Sequence, residues 1–352
     1  MEGAARVEAN ASLAARNTLR VAATARYLVR VGGTAPEAVA RDLAELLADA
    51  RFDGLPRMVL GGGSNVLFAG DYPGVAIMPQ ASEIAVQEDG ESATVTVAAG
   101  HDWHRLVQFT VARGWGGIEN LSLIPGSVGA APIQNIGAYG AQLSDVFVDL
   151  EAVPLAGGEA RTMDAAACAF GYRDSVFKQA LCDRMLITRV RLRLDKRPRL
   201  NLEYAGVREE LARMAVTEPT VGDVSRAIVR LRRRKLPDPD TLPNAGSFFK
   251  NPVLAPDRYA LVRERCPQVA GVAAAGGFKV PAAQLIEACG LRGRRFGRAG
   301  VAERHALVLV NHGGATGADL LSAATAVEQA VMDRFAVTLE REVRVIGAEE
   351  ES

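Results

Sequence analysis

Residues 120–140 read NLSLIPGSVGAAPIQNIGAYG, apolar enough to be buried yet punctuated by Pro125, Pro132 and the glycines Gly126, Gly129, Gly137 and Gly140. Glycines admit a ligand close to the backbone, and successive amides make a concavity suited to an anion, so the segment reads as a cradle for a phosphate-bearing group. A tight buried connection between strands would use the same turn chemistry. Upstream, residues 58–67 (MVLGGGSNVL) place a second glycine loop after a short apolar strand. No lysine follows, as a Walker loop requires, and the third glycine of the dinucleotide fingerprint is absent. A mononucleotide fold is therefore not supported.

Working outward, a strand near residues 27–31 precedes a helix opened by a Thr34-x-x-Glu37 capping box, with Val39, Leu43, Leu46 and Leu47 on one face. A strand at 57–60 then delivers the glycine loop at its carboxyl end, where ligands sit in open sheets. Alternation at 93–97, Asp102 as N-cap of a helix bearing Trp103, Leu106, Val107 and Val111, and strands at 146–153 and 185–194 complete an α+β lobe. Residues 198–217 break the rhythm as a linker would. Helices at 222–234, 256–265, 281–289 and 317–335 with a strand at 306–311 predict a separate C-terminal α/β domain. Residues 1–16 are small, polar and aperiodic, and are expected as a flexible extension. The basic run at 230–235 reads as a solvated face, and the lone His104 as structural.

Lys plus Arg and Asp plus Glu both number 41, which gives a net charge of zero and no general field for nucleic acid or an anionic membrane. A phosphate ligand must then be held locally. The four cysteines stand singly, without metal or disulfide spacing, as expected of reduced thiols in the cytoplasm. No apolar run reaches the roughly 18 residues of a membrane span, and the Ala-rich start, with Glu2, Glu8 and Arg16, is unlike a signal peptide.

Further strings lie downstream: FGYRDS (170–175), KLPDP (235–239), NAGSFFKNP (244–252) and LEREVRVIG (339–347). Together with GGGSN and the cradle, and in this order, they resemble the UDP-N-acetylenolpyruvoylglucosamine reductases, from about residue 17 to residue 347. The resemblance implies an α+β fold: a two-lobed FAD-binding domain of the vanillyl-alcohol-oxidase (PCMH) type at 21–197, with lobes at about 21–80 and 81–197, a tyrosine-bearing loop at 198–220, and a C-terminal substrate-binding α/β domain at 221–347. It implies noncovalent FAD, NADPH as hydride donor, and reduction of an enolpyruvyl UDP-sugar to UDP-N-acetylmuramate for peptidoglycan, by a cytoplasmic monomer without nucleic-acid partners. Near the start the chain departs from the family, with Arg20-Val21 following Asn17-Thr18-Leu19 where an aromatic residue and glycines are usual.

Carried over by position, the resemblance makes Arg173, Ser247 and Glu342 catalytic. Arg173 would clamp the substrate carboxylate with planar paired donors, Glu342 would help polarise it, and Ser247 would protonate the ether-bearing carbon. By itself Arg173 reads more readily as an ion-pair partner of Asp174, and Ser247 could be a turn or helix-cap serine. Glu342, on the polar face of a strand whose apolar face is Val337, Leu339, Val343 and Val345, reads by itself as a solvated carboxylate. Tyr204, Lys235, Asn251 and Lys279 become substrate contacts, Lys235 at the diphosphate. The flavin falls to Gly61, Gly62, Gly63, Ser64 and Asn65 in the first loop. In the cradle it falls to Pro125, Gly126, Ser127, Gly129, Ala130, Gln134, Asn135, Gly137, Ala138 and Tyr139. Another flavin oxidase of the same fold is disfavoured because GGGSN offers no His or Cys for covalent flavin attachment. A flavin-binding module without turnover would not need Arg173, Ser247 and Glu342 together.

Overall fold

The computed structural model describes residues 5–33, 35–204 and 206–347, and these form two compact units. The first gathers residues 5–11, Ala25–Gly62 and Pro73–Arg232; the second gathers Ser12–Thr24, Gly63–Tyr72 and residues 233–347. The units thus cut the chain differently from the expected contiguous boundaries. Residues 12–24 and 63–72 go with the C-terminal residues, and the stretch at 198–232 stays with the first unit.

The first unit holds two large sheets and, among the described residues, the small pair Gly137–Ala138 with Ala141–Gln142. Strands Arg6–Ser12, Thr24–Val31, Tyr72–Pro79 and Arg57–Val59 lie in that order, the last pair parallel with Met58 opposite Ala76. Helix Pro36–Leu47 lays Val39, Leu43 and Leu47 against Val29, Val75 and Ile77 of this sheet. The helix begins with Ala35 at its N-cap; Thr34, the expected cap, lies outside the described residues. A five-stranded antiparallel sheet follows, ordered Arg161–Asp164, Phe147–Pro154, Met185–Asp195, Ser92–Ala98 and Ile84–Asp89. Trp103, Leu106 and Val107 of helix Trp103–Val111 pack on it, and Asp102 caps that helix by accepting from the Arg105 amide at 2.8 Å. Helices Val207–Arg213 and Val221–Lys235 join through Val207, Leu211, Val224, Ile228 and Leu231, with Leu200, Leu202 and Tyr139 against them. The stretch read as a linker is therefore a packed element.

The expectation of a flexible extension over residues 1–16 is overturned for its described part. Arg6–Ser12 is an edge strand whose Glu8 pairs with Arg30 at 2.7 Å, and Ala14–Arg16 forms a 3-10 turn. An edge strand with one face in water needs few apolar residues, and Val7, Ala9 and Ala11 make too weak an alternation to stand out.

The second unit centres on an antiparallel sheet ordered Asn244–Ser247, Val308–Asn311, Ala299–Val301 and Arg295–Phe296. Helix Gly317–Phe335 buries Leu320, Ala324, Val327 and Val331 in the same core as Leu285, Ile286, Phe248 and Phe249. Leu19, Val21 and Leu67 complete that core. Asn17 locks their turn, its amide donating to the carbonyls of Leu13 at 2.8 Å and Val21 at 3.0 Å, while Asn311 donates to the Leu19 carbonyl at 2.9 Å. Val66–Phe68 forms a parallel pair with Arg344–Ile346. Glu342 was expected inside a strand; the regular strand is only Arg344–Ile346, and Glu342 sits just before it. Val337, Leu339 and Val343 still alternate inward, but apart from the bridge between Arg341 and Phe249 no ladder forms over residues 337–343.

Candidate active site

In the first unit the two glycine loops meet backbone to backbone. A Cβ on Gly62 would lie 2.8 Å from the Gly126 Cα, and one on Gly61 would lie 2.8 Å from the Ser127 Oγ and 2.9 Å from the Ala130 Cβ. Only glycine permits that approach. Not every amide of the cradle is available: Val128 donates to the His101 carbonyl and Gly129 to the Ala99 carbonyl, both at 2.8 Å, and Ala130 donates to the Ser127 carbonyl at 3.0 Å. The amides of Gly61, Gly62, Gly126 and Ser127 take no acceptor among the described residues. The Ser127 hydroxyl is buried without a partner. A buried orphan hydroxyl beside unpaired amides is costly unless a ligand completes it, and this donor set fits the diphosphate of FAD.

Arg173 stands in the tight turn between Gly171 and Asp174, where the Gly171 amide donates to the Asp174 carbonyl at 3.0 Å and Arg173 itself has φ 54°. The turn is tied on several sides. The Asp174 carboxylate accepts from the Ser175 amide at 2.9 Å and from Gln179 at 3.2 Å, and Lys178 donates to the Arg173 carbonyl at 3.3 Å. Asn135 donates to the Gly171 carbonyl at 3.2 Å, while its Oδ1 accepts from the Ser144 amide at 3.0 Å. Its side chain, expected against the flavin, thus engages the fold and steadies the turn of Arg173. The guanidinium donates to the Gly137 carbonyl, and a Cβ at Gly137 would come within 2.9 Å of Nη1. Tyr139, also expected at the flavin, stacks edge-on against Tyr204 with ring centroids 5.1 Å apart, and Tyr204 is 46% exposed.

Arg232 is the residue that sequence reasoning missed. Read as part of a solvated basic face, it is half-buried near Tyr139 and Arg173, with no carboxylate partner among the described residues. Desolvation lowers its pKa, the Tyr139 phenol opposes the shift, and the Arg173 guanidinium adds to it. An unpaired, desolvated cation beside a second cation calls for an anionic ligand. The signal was its helical position: in Val221–Lys235, Arg232 follows the buried Leu231 and lies four residues beyond the buried Ile228.

In the second unit Ser247 ends strand Asn244–Ser247, opposite Val308. Asn244 fixes the preceding turn, its Oδ1 accepting from the Gly246 amide at 2.9 Å and its amide donating to the Leu242 carbonyl at 2.8 Å. The Glu342 amide donates to the Phe248 carbonyl at 2.8 Å, so Ser247 and Glu342 are brought together through one peptide bond and one hydrogen bond. Of the expected cofactor contacts here, Gly63 would place a Cβ 1.9 Å from the Arg16 carbonyl oxygen, and Asn65 donates to the Glu342 carbonyl at 3.1 Å. The Asn251 Oδ1 accepts from the Ala282 amide at 2.9 Å. Lys279 lies in Gly277–Lys279, opposite Val253 on one side and Val272 on the other. Lys235 is exposed; with burial as the larger cause, its ammonium helps hold the His305 imidazole below its ordinary pKa.

The family model for the FAD binding domain matches residues 36–164, and the model for the C-terminal domain of UDP-N-acetylenolpyruvoylglucosamine reductase matches residues 238–346. UDP-N-acetylenolpyruvoylglucosamine reductase of Xanthomonas euvesicatoria pv. vesicatoria (strain 85-10) is 50% identical over 344 residues, which cover 96% of this chain and 95% of the relative. The chain belongs to the UDP-N-acetylenolpyruvoylglucosamine reductase family. The reductase of Chromobacterium violaceum is 46% identical over 341 residues, covering 96% of this chain and 98% of its own. Among solved structures, the family member from Thermus caldophilus aligns with a TM-score of 0.64 at 25% identity, covering 97% of this chain and 99% of that one. The α+β architecture of this reductase family, an FAD-binding domain and a distinct C-terminal domain, is thus present over 97% of the chain.

Proposed function

We propose that this chain reduces enolpyruvyl-UDP-N-acetylglucosamine to UDP-N-acetylmuramate at the expense of NADPH, a step in building peptidoglycan precursors. Family membership over 96% of the chain carries the reading. FAD, which the unpaired amides of Gly61, Gly62, Gly126 and Ser127 would hold, would supply the hydride chemistry between NADPH and the terminal carbon of the alkene. The protein's own residues polarise, orient and protonate.

As hydride arrives, negative charge spreads toward the substrate carboxylate. Arg173 offers that carboxylate a planar, permanently charged fork, held in place beforehand by the ties on its turn, so little reorganisation is needed when charge develops. Arg232 supplies a second cation for an anionic group of the substrate. Glu342 presents its carboxyl to the same substrate group as Arg173 and shares the polarisation. Ser247 gives its hydroxyl proton to the ether-bearing carbon. A serine is a weak acid in water, so its turn must be rigid, and Asn244 is placed to make it so. Lys235 takes the diphosphate, and Tyr204, Asn251 and Lys279 add further substrate contacts. No helix among the described residues is long and apolar enough to cross a membrane. The reading is of a cytoplasmic monomer that meets NADPH and a nucleotide sugar in solution.

The test is anaerobic. The purified protein should be yellow, NADPH should bleach it, and the enolpyruvyl sugar should restore the colour with UDP-N-acetylmuramate as product by mass spectrometry. A flavin that bleaches with NADPH and is not reoxidised by this sugar would sink the assignment.

A further inference from the structure

The parallel ladder between Val66–Phe68 and Arg344–Ile346 starts with the Arg344 amide donating to the Asn65 carbonyl at 3.1 Å. A side chain then prolongs it by one rung, because Nδ2 of Asn65 donates to the carbonyl oxygen of Glu342 at 3.1 Å. The Glu342 amide meanwhile donates to the Phe248 carbonyl at 2.8 Å. The backbone of Glu342 is therefore gripped on both sides, by the strand of Ser247 and by the last residue of GGGSN. The Asn65 side chain thus ties Glu342 at a point where no regular strand holds it.

We propose that Asn65 is a positioning residue for Glu342. It holds the carboxyl-bearing residue in register with Ser247, and it makes a loop that serves the cofactor also the anchor of a group that acts on the substrate. This rests on the role given above to Glu342. A misplacement of about 1 Å in such a group can cost on the order of 10²-fold in rate.

Asn65→Asp keeps the shape and removes the donor. Rates are read on FAD-saturated protein, with any change in FAD affinity measured separately by flavin fluorescence titration, and NADPH bleaching should slow several-fold less than reoxidation. Reoxidation by the enolpyruvyl sugar should slow roughly 10–100-fold. Placed on Glu342→Gln, the same change should slow reoxidation by less than about twofold further, since both act through one group. If the aspartate variant melts well below the parent, Asn65→Ser, which removes the amide without adding charge, takes its place in every measurement. Equal slowing of both half-reactions, or weakened FAD binding with normal reoxidation of the flavin-loaded fraction, would overturn the inference and leave Asn65 as a folding or cofactor residue. Parent-like reoxidation by Glu342→Gln alone would instead remove the role of Glu342, and the inference with it, a result distinguishable because it needs no change at Asn65.

Discussion

The Gly137 carbonyl accepts from the Arg173 guanidinium, and the guanidinium lies there only because residue 137 has no side chain. Gly137→Ala would press a methyl to 2.9 Å from Nη1, the mobile end of a long side chain, and to 3.0 Å from the Ala141 carbonyl oxygen. The fold should yield at a cost of about 1 kcal/mol. Reoxidation by substrate should fall about 10²-fold as Arg173 is displaced, while NADPH bleaching holds. Stopped-flow of the two half-reactions separates the outcomes, and parallel losses would point to a general distortion. A second residue-scale effect concerns protons. Burial, then the Lys235 ammonium, keep the His305 imidazole below its ordinary 6.5, with Glu287 opposing. Between the folded value and 6.5 the unfolded chain binds a proton that the folded chain does not, so this contribution to stability is full above 6.5 and lost as pH falls. His312 acts in the same direction, through burial and Arg295. Melting temperature should drop between about pH 7 and about pH 5, and His305→Gln should flatten part of the drop; an unchanged slope would absolve His305. The string around Arg173 was legible, whereas the left-handed backbone of Arg173 was not, since φ depends on the ties made by Asn135 and Lys178. Arg232 was hidden among adjacent basic residues, where composition says solvent and only packing says otherwise.

At the scale of elements, helix Gly317–Phe335 is the clearest case of local sequence agreeing with global fold. Thr316 and Asp319 close a full capping box, Thr316 Oγ1 accepting from the Asp319 amide at 3.1 Å and Asp319 accepting from the Thr316 amide at 2.8 Å. Thr316→Ala should cost about 1 kcal/mol in urea unfolding without altering either half-reaction; a change in kinetics would show that this end of the helix reaches the chemistry. Helix Trp103–Val111, with its apolar stripe, and helix Pro256–Arg265, opened by a proline, were readable with their limits nearly intact. Arg6–Ser12 was not, because an edge strand carries little periodic signal. The segment around Glu342 failed in the other direction: its alternation is real, but its hydrogen bonds go to Phe248 and to the Asn65 side chain rather than into a regular ladder. Helix Val207–Arg213 was lost in a stretch whose Pro198 and polar residues suggested only a linker.

For the whole molecule, the second unit draws on three separate parts of the chain, and this makes the C-terminal region dependent on residues far upstream. Leu19, Val21 and Leu67 are each at most 1% exposed within its core. Burying three such side chains contributes roughly 5–8 kcal/mol, comparable to the roughly 5–15 kcal/mol that holds an entire domain. A fragment of residues 233–352 should therefore bind a hydrophobic dye and melt without cooperativity; a sharp transition would show that the late core suffices alone.

The same arrangement imposes a timetable. A ribosome adding roughly 5–20 residues per second leaves residues 12–24 waiting about fifteen to sixty-five seconds before residues 233–347 all exist to cover them. During that interval Leu19 and Val21, and later Leu67, have no core to enter. Nascent chains arrested near residue 232 should accordingly be held by chaperones or aggregate through these two short stretches, while the residues of the first unit already have all their partners in hand.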